Sequence, residues 1–174
     1  MKKFKIGFVG LSHLGLNYLA ASSEKNFNVI GIEPDKKLLS RIKKFDIPYE
    51  EPKLKNILKK NKKKIIFTNK LNFLNKCNLV FISQDVKTDK LGNPDLKNII
   101  NLVNSARKNI SSKGCLIILS QIRPGFTRSI NFNKKFLYYQ VETLIFGKSI
   151  NRALKPERII VGCDKGESKL NNNY

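Results

Sequence analysis

KIGFVGLSHLGLNYLAASSEKNFNVIGIEPD, Lys5 to Asp35, decides the fold. An apolar run, Ile6 to Val9, is followed by the tight segment Gly10-Leu11-Ser12-His13-Leu14-Gly15. A helix-like run then leads to a second apolar run, Val29 to Ile32, which ends on Glu33. The order strand, glycine loop, helix, strand, acid is that of a dinucleotide-binding unit. Gly10 lets the chain turn sharply off the strand, and Gly15 lets the helix pack close to it. The helix start aims its free N–H groups and positive dipole end at a pyrophosphate. Glu33, eighteen residues past Gly15, is spaced to accept hydrogen bonds from an adenosine ribose. Its charge would repel the extra phosphate of NADP and so favours NAD, although Lys36 and Lys37 stand close enough in sequence to answer such a phosphate. The middle glycine of G-x-G-x-x-G is Ser12 here. Its side chain must point away from the phosphate seat or donate its hydroxyl into it.

Outward from this stretch, apolar runs alternate with helical periodicity. Asn78–Ser83 (NLVFIS) and Cys115–Leu119 (CLIIL) are fully apolar, as strands inside a parallel sheet are. Shorter strands are predicted at Ile65–Thr68, Leu137–Val141 and Ile159–Gly162. Helices are predicted over Asp35–Phe45, around Leu54, Ile57 and Leu58, and over Leu144–Leu154. Asn93, Pro94 and Asp95 read as cap, first position and first turn of another helix running to about Asn109. Its apolar stripe is Leu96, Ile99, Ile100, Val103, Ala106 and Ile110. Thr127 is expected to cap a short helix. Right-handed crossovers then give an α/β domain of Rossmann type: a doubly wound, mostly parallel sheet with helices on both faces. Glu33, Thr88, Gln121 and Glu142 each follow a strand, so they should gather along the sheet edge that faces the phosphate loop.

Composition sets limits. The 174 residues make one domain with a real core, and 41% are apolar. Cys77, Cys115 and Cys163 are far apart with no C-x-x-C pair. They read as reduced thiols of a cytoplasmic protein, with no metal site and no disulfide framework. No apolar run is long enough to span a bilayer, and no signal peptide precedes the first strand. The net charge of +21 raises nucleic acid as a partner. The nine lysines from Lys53 to Lys76 include no acid among them, but neither base-reading arginines nor stacked aromatics are interleaved. They read as a solvated helix face, with no specific nucleic-acid partner.

Five ordered segments carry a family resemblance. KIGFVGLSHLGL is similar to the phosphate loop of the UDP-glucose/GDP-mannose dehydrogenase family, and YEEPKLKNIL (Tyr49–Leu58) to its Y-E-P-G-L segment. LVFISQDVKTDKLGNPDL (Leu79–Leu96) resembles its fourth strand, polar loop and G-N-P-D-L helix start. SQIRPGFTR (Ser120–Arg128) is similar to S-T-V-P-P-G-T-T, and YQVETLIFGKSINRALKPERIIVG (Tyr139–Gly162) to the stretch bearing P-E-F-L-R-E-G and P-x-R-I-x-x-G. The resemblance implies an N-terminal NAD-binding domain at residues 1–164, with 165–174 a disordered or truncated tail and the family's central and C-terminal domains absent. It implies a UDP-sugar 6-dehydrogenase that takes a C6 alcohol through aldehyde and cysteine thioester to carboxylate, at the expense of two NAD molecules. By position, Gly10, Leu11, Ser12, His13, Leu14 and Gly15 would hold the pyrophosphate and Glu33 the ribose. Thr88 and Gln121 would lie toward the ribose or nicotinamide end, and Glu142 would face the sugar nucleotide. Gln121 and Val86 replace threonines of the pattern, and Phe146 replaces its second glutamate. The family's nucleophilic cysteine has no counterpart here, so no catalytic residue is assigned and the chain alone is expected to be inactive. Homodimer formation would need the central helix. The competing reading is a non-catalytic Rossmann-type nucleotide-binding module.

Overall fold

The computed structural model describes residues 4–92, 94–164 and 170–171. Strand β1 (Lys5–Val9) leads into helix α1 (His13–Glu24), then β2 (Asn28–Ile32), α2 (Lys36–Lys43), α3 (Leu54–Lys60) and β3 (Ile65–Thr68). The second half runs β4 (Leu79–Ile82), the short β5 (Lys87–Thr88) and β6 (Pro94–Asp95), α4 (Lys97–Arg107), β7 (Cys115–Ile118), α5 (Phe126–Ser129), β8 (Leu137–Gln140), α6 (Ser149–Leu154) and β9 (Val161–Gly162). The main sheet is ordered β3-β2-β1-β4-β7-β8-β9. Every pairing in it is parallel except β8 with β9. The chain therefore winds outward from β1 in both directions. The switch falls between β1 and β4, which is where such sheets open a crevice at their carboxyl ends.

Alternation along the strands sorts the core into two layers. Phe8, Phe81 and Ile117 face one side, where Leu16 and Leu19 of α1, Leu54 and Leu58 of α3 and Ile150 of α6 pack on them. Val9, Val80, Ile82, Leu116 and Ile118 face the other, under Ile99, Val103 and Ala106 of α4. β4 and β7 are buried along their whole length, which is why their sequences are unbroken apolar runs. Phe8 and Phe81 stack across the β1–β4 pair with centroids 5.2 Å apart.

The structure departs from the sequence expectations where side chains compete for backbone N–H groups. Asn93 lies outside the described residues. Pro94 does not open α4. It pairs opposite Thr88 in the antiparallel β5–β6 ribbon, an edge position where its missing N–H costs nothing. Asp95 Oδ1 instead accepts the Lys97 N–H at 3.0 Å, and the helix starts there. Ile100, counted in the apolar stripe of α4, is 43% exposed. Thr127 is inside α5 and does not cap it; Gly125, at φ +90°, holds the cap position and lets the helix begin two residues earlier. The helix expected over Leu144–Leu154 is confined to Ser149–Leu154. Residues 141–148 form a loop, because Glu142 accepts the Leu144 N–H and Glu51 accepts those of Gly147 and Ser149. Gly147, at φ +77°, leaves the helical region.

Candidate functional site

The glycine loop is built by close approach. Gly10 turns at φ +89°, and its N–H donates to Ile32 O at 3.0 Å. A methyl group at Gly15 would lie 2.1 Å from Gly10 O, so only glycine lets α1 begin this close to β1. Ser12 occupies the position of the missing glycine without strain, at φ −71° and ψ −172°. Its hydroxyl donates to Ser83 O at 3.1 Å and accepts the Asp85 N–H at 2.8 Å. The side chain is thus latched to the end of β4 and stays off the helix start. No side chain caps α1 and no acid lies in its first turn. Leu16 is the first residue to bond back, to Ser12 O at 3.0 Å, so the amides of His13, Leu14 and Gly15 are left for an external acceptor. A bound dinucleotide pyrophosphate fits this arrangement.

Glu33 closes the loop from the tip of β2. Its Oε2 accepts the Leu11 N–H at 2.9 Å and its Oε1 the Asp35 N–H at 3.0 Å. Burial pushes this carboxyl above its usual range, while the two amide donors pull it partly back. Each oxygen keeps a lone pair for a ligand hydroxyl.

On the opposite side of the loop one carboxylate joins three segments. Glu51, with its side chain 1% exposed, accepts from His13 Nε2 at 3.0 Å, from the Gly147 N–H at 3.0 Å and from the Ser149 N–H at 2.8 Å. Burial alone would raise its carboxyl, but these donors outweigh burial and hold it below its usual range. Phe146 stacks on the fixed His13 ring at 4.4 Å, and Tyr49 meets that ring edge-on at 6.1 Å. Beyond them lies a cavity of about 260 Å³ lined by His13, Leu14, Asp85, Val86, Gln121, Glu142, Leu144 and Phe146. Gln121 Nε2 donates to Glu142 Oε2 at 3.3 Å. The fold therefore brings His13, Leu14, Gln121 and Glu142 together beside the loop. Thr88 is not among the lining residues; it is exposed on the β5–β6 ribbon. A larger hollow of about 470 Å³ beside Arg123, Arg128 and Tyr139 shares no residue with this edge, and neither the glycine loop nor Glu33 reaches it. Glu51 lies in the family-like segment Tyr49–Leu58, but no role for its carboxylate is legible there, since its partners at His13, Gly147 and Ser149 are far away in sequence.

Cys77 and Cys115 are buried, and burial pushes their thiols up to about 12 and about 11. Neither is a nucleophile at neutral pH. Among the described residues no group of three His, Cys, Asp or Glu could hold a metal ion, and no helix is long and apolar enough to cross a membrane.

Residues 4–173 match the model of the UDP-glucose/GDP-mannose dehydrogenase family, NAD binding domain. The chain belongs to this family. The UDP-glucose 6-dehydrogenase of Rickettsia typhi is 30% identical over 174 residues, covering 94% of this chain and 40% of that protein. The UDP-N-acetyl-D-mannosamine dehydrogenase of Methanococcus vannielii is 28% identical over 177 residues, covering 95% and 40%. Among solved structures, the ternary complex of GDP-mannose dehydrogenase from Pseudomonas aeruginosa superposes with a TM-score of 0.81 at 18% identity, covering 94% of this chain and 41% of that one. The chain thus spans about two fifths of the length of these relatives. It is an NAD-binding domain of the UDP-glucose/GDP-mannose dehydrogenase family, with the Rossmann-type sheet of that domain.

Proposed function

We propose that the chain seats NAD along the carboxyl edge of its sheet, for a UDP-sugar 6-dehydrogenase of the UDP-glucose type. Adenosine ribose lies at Glu33, pyrophosphate over the amides of His13, Leu14 and Gly15, and the nicotinamide half in the cavity between Gln121, Glu142 and Phe146. One observation carries this reading: an uncapped helix start flanked by a buried acid on one side and a polar cavity on the other, all on one sheet edge. When bound, NAD supplies the hydride acceptor for oxidation of a sugar C6 alcohol. The chain's own residues bind and orient. Gly10 and Gly15 give the backbone its close approach, Ser12 braces the loop against β4, and Gln121 fixes Glu142 toward the substrate side. Thr88, exposed on the β5–β6 ribbon, is assigned to the ribose or nicotinamide end by the family pattern alone. Two of the three thiols, Cys77 and Cys115, are buried, and the exposed Cys163 lies at the hollow beside Arg123 and Tyr139, away from the glycine loop; the further reading is that this chain by itself completes no oxidation. A dimer would rest on parts of the relatives that this chain does not match.

Calorimetric titration tests the cofactor reading. NAD is expected to bind, and NADP more weakly, since its ribose phosphate would meet Glu33. Equal or tighter NADP binding would assign Lys36 and Lys37 to that phosphate instead. With UDP-glucose added, no steady NADH production is expected.

A second reading, a non-catalytic nucleotide-binding module, is favoured by Phe146, which puts an apolar ring where the family pattern has a carboxylate. The two differ on the sugar nucleotide. The first predicts that UDP-glucose binds the NAD-loaded chain and that Glu142→Gln weakens it; the second predicts no such binding.

A further inference from the structure

Phe146 is 80% exposed, yet its ring is held. His13 stacks on one face at 4.4 Å with the planes 29° apart. His13 is itself locked by Glu51 at 3.0 Å, and the same carboxylate holds the amide of the next residue, Gly147, at 3.0 Å. The ring is thus fixed in place while most of its surface stays open to solvent and to a ligand.

The ring borders the cavity shared with Asp85 and Glu142. An aromatic face carries negative electrostatic potential. The two carboxylates add to it, in a chain whose net charge is +21. The wall is therefore suited to a flat cation. The strand order says which end of a dinucleotide arrives there. With adenosine at the tip of β2 and pyrophosphate at β1, the far end must run over β4 and β7. The oxidised nicotinamide ring is flat and cationic, whereas the reduced ring is neutral and carries a tetrahedral carbon.

We propose that the His13–Phe146 pair, clamped by Glu51, is a platform that selects the oxidised nicotinamide ring, so that the chain holds NAD+ more tightly than NADH. This rests on the NAD seating proposed above and adds to it a specificity set by Phe146.

The test is calorimetry of the full chain with NAD+, NADH and ADP-ribose, repeated on Phe146→Leu and Phe146→Tyr. An exposed cation–ring contact predicts NAD+ binding roughly two- to fivefold tighter than NADH. Phe146→Leu should bring that ratio to about one, and Phe146→Tyr should keep it. ADP-ribose, which has no nicotinamide, should bind all three proteins alike. In NMR spectra NAD+ should shift the Phe146 ring protons and ADP-ribose should not. The proposal is overturned if the wild type binds NAD+ and NADH equally, or if Phe146→Leu weakens ADP-ribose as much as NAD+. If ADP-ribose and NAD+ both fail to bind, the seating itself is wrong and the platform falls with it.

Discussion

Ser12 is where the glycine loop departs from its pattern, and the structure turns that departure into a brace. Its hydroxyl bridges Ser83 O and the Asp85 N–H, tying the loop to β4. Ser12→Gly restores the glycine pattern but removes both bonds. It should lower stability by about 1–2 kcal/mol in chemical denaturation without tightening NAD. A tighter NAD complex would mean that the hydroxyl intrudes on the phosphate seat. Gly15→Ala is a harsher test, because its methyl would meet Gly10 O at 2.1 Å. The loop must shift to admit it. NAD affinity should fall at least tenfold, and an unchanged affinity would show that the helix start need not sit this close.

At the scale of elements, α1, the segment after Tyr49 and the segment before α6 meet at one carboxylate. Glu51 is charged in the folded state and its carboxyl is held below the usual value of 4.5. A carboxylate depressed on folding contributes stability above its unfolded pKa and loses it as pH falls through the folded one. Stability should therefore drop with acid below about pH 4.5, and Glu51→Gln should flatten that limb when melting temperature is followed against pH. Glu33 acts in the opposite sense. Its carboxyl is raised, mainly by burial, so it weakens the fold as pH rises from the unfolded value through the raised one. An acid limb that survives in Glu51→Gln would assign the effect to other carboxylates. The same clasp marks the limit of what could be read in advance. Strands β1, β2, β3, β4 and β7 and helix α1 were readable because apolar runs and periodicity specify them locally. The starts of α4 and α6 were not, because Asp95, Glu51 and Glu142 take backbone N–H groups that helix propensity assigns elsewhere. The turn at Gly10, the close approach at Gly15 and the place of Glu33 after β2 were readable from spacing alone. The juxtaposition of Glu51, His13 and Phe146 spans 133 residues of sequence, from His13 to Phe146, and leaves no local pattern.

For the whole molecule, the charge lies on the surface and the fold lies in the two apolar layers. In α3, Leu54, Ile57 and Leu58 are buried while Lys55, Lys59 and Lys60 are exposed, as the spacing predicts. Binding to DNA should be weak, independent of sequence and steeply weakened by salt. Sequence-specific binding at physiological salt would point to a nucleic-acid partner instead. Leu19→Ala, in a fully buried side chain of α1, should cost about 2–5 kcal/mol, read as a lower denaturant midpoint. The proposed function depends above all on an adenine dinucleotide lying across the start of α1. Amide NMR of the isotope-labelled chain during NAD titration reads this most directly. The signals of Gly10 to Gly15 should move first and furthest, followed by those around Glu33. If they stay still up to millimolar NAD, or if shifts cluster around Arg123 and Tyr139 instead, the dinucleotide is not seated there.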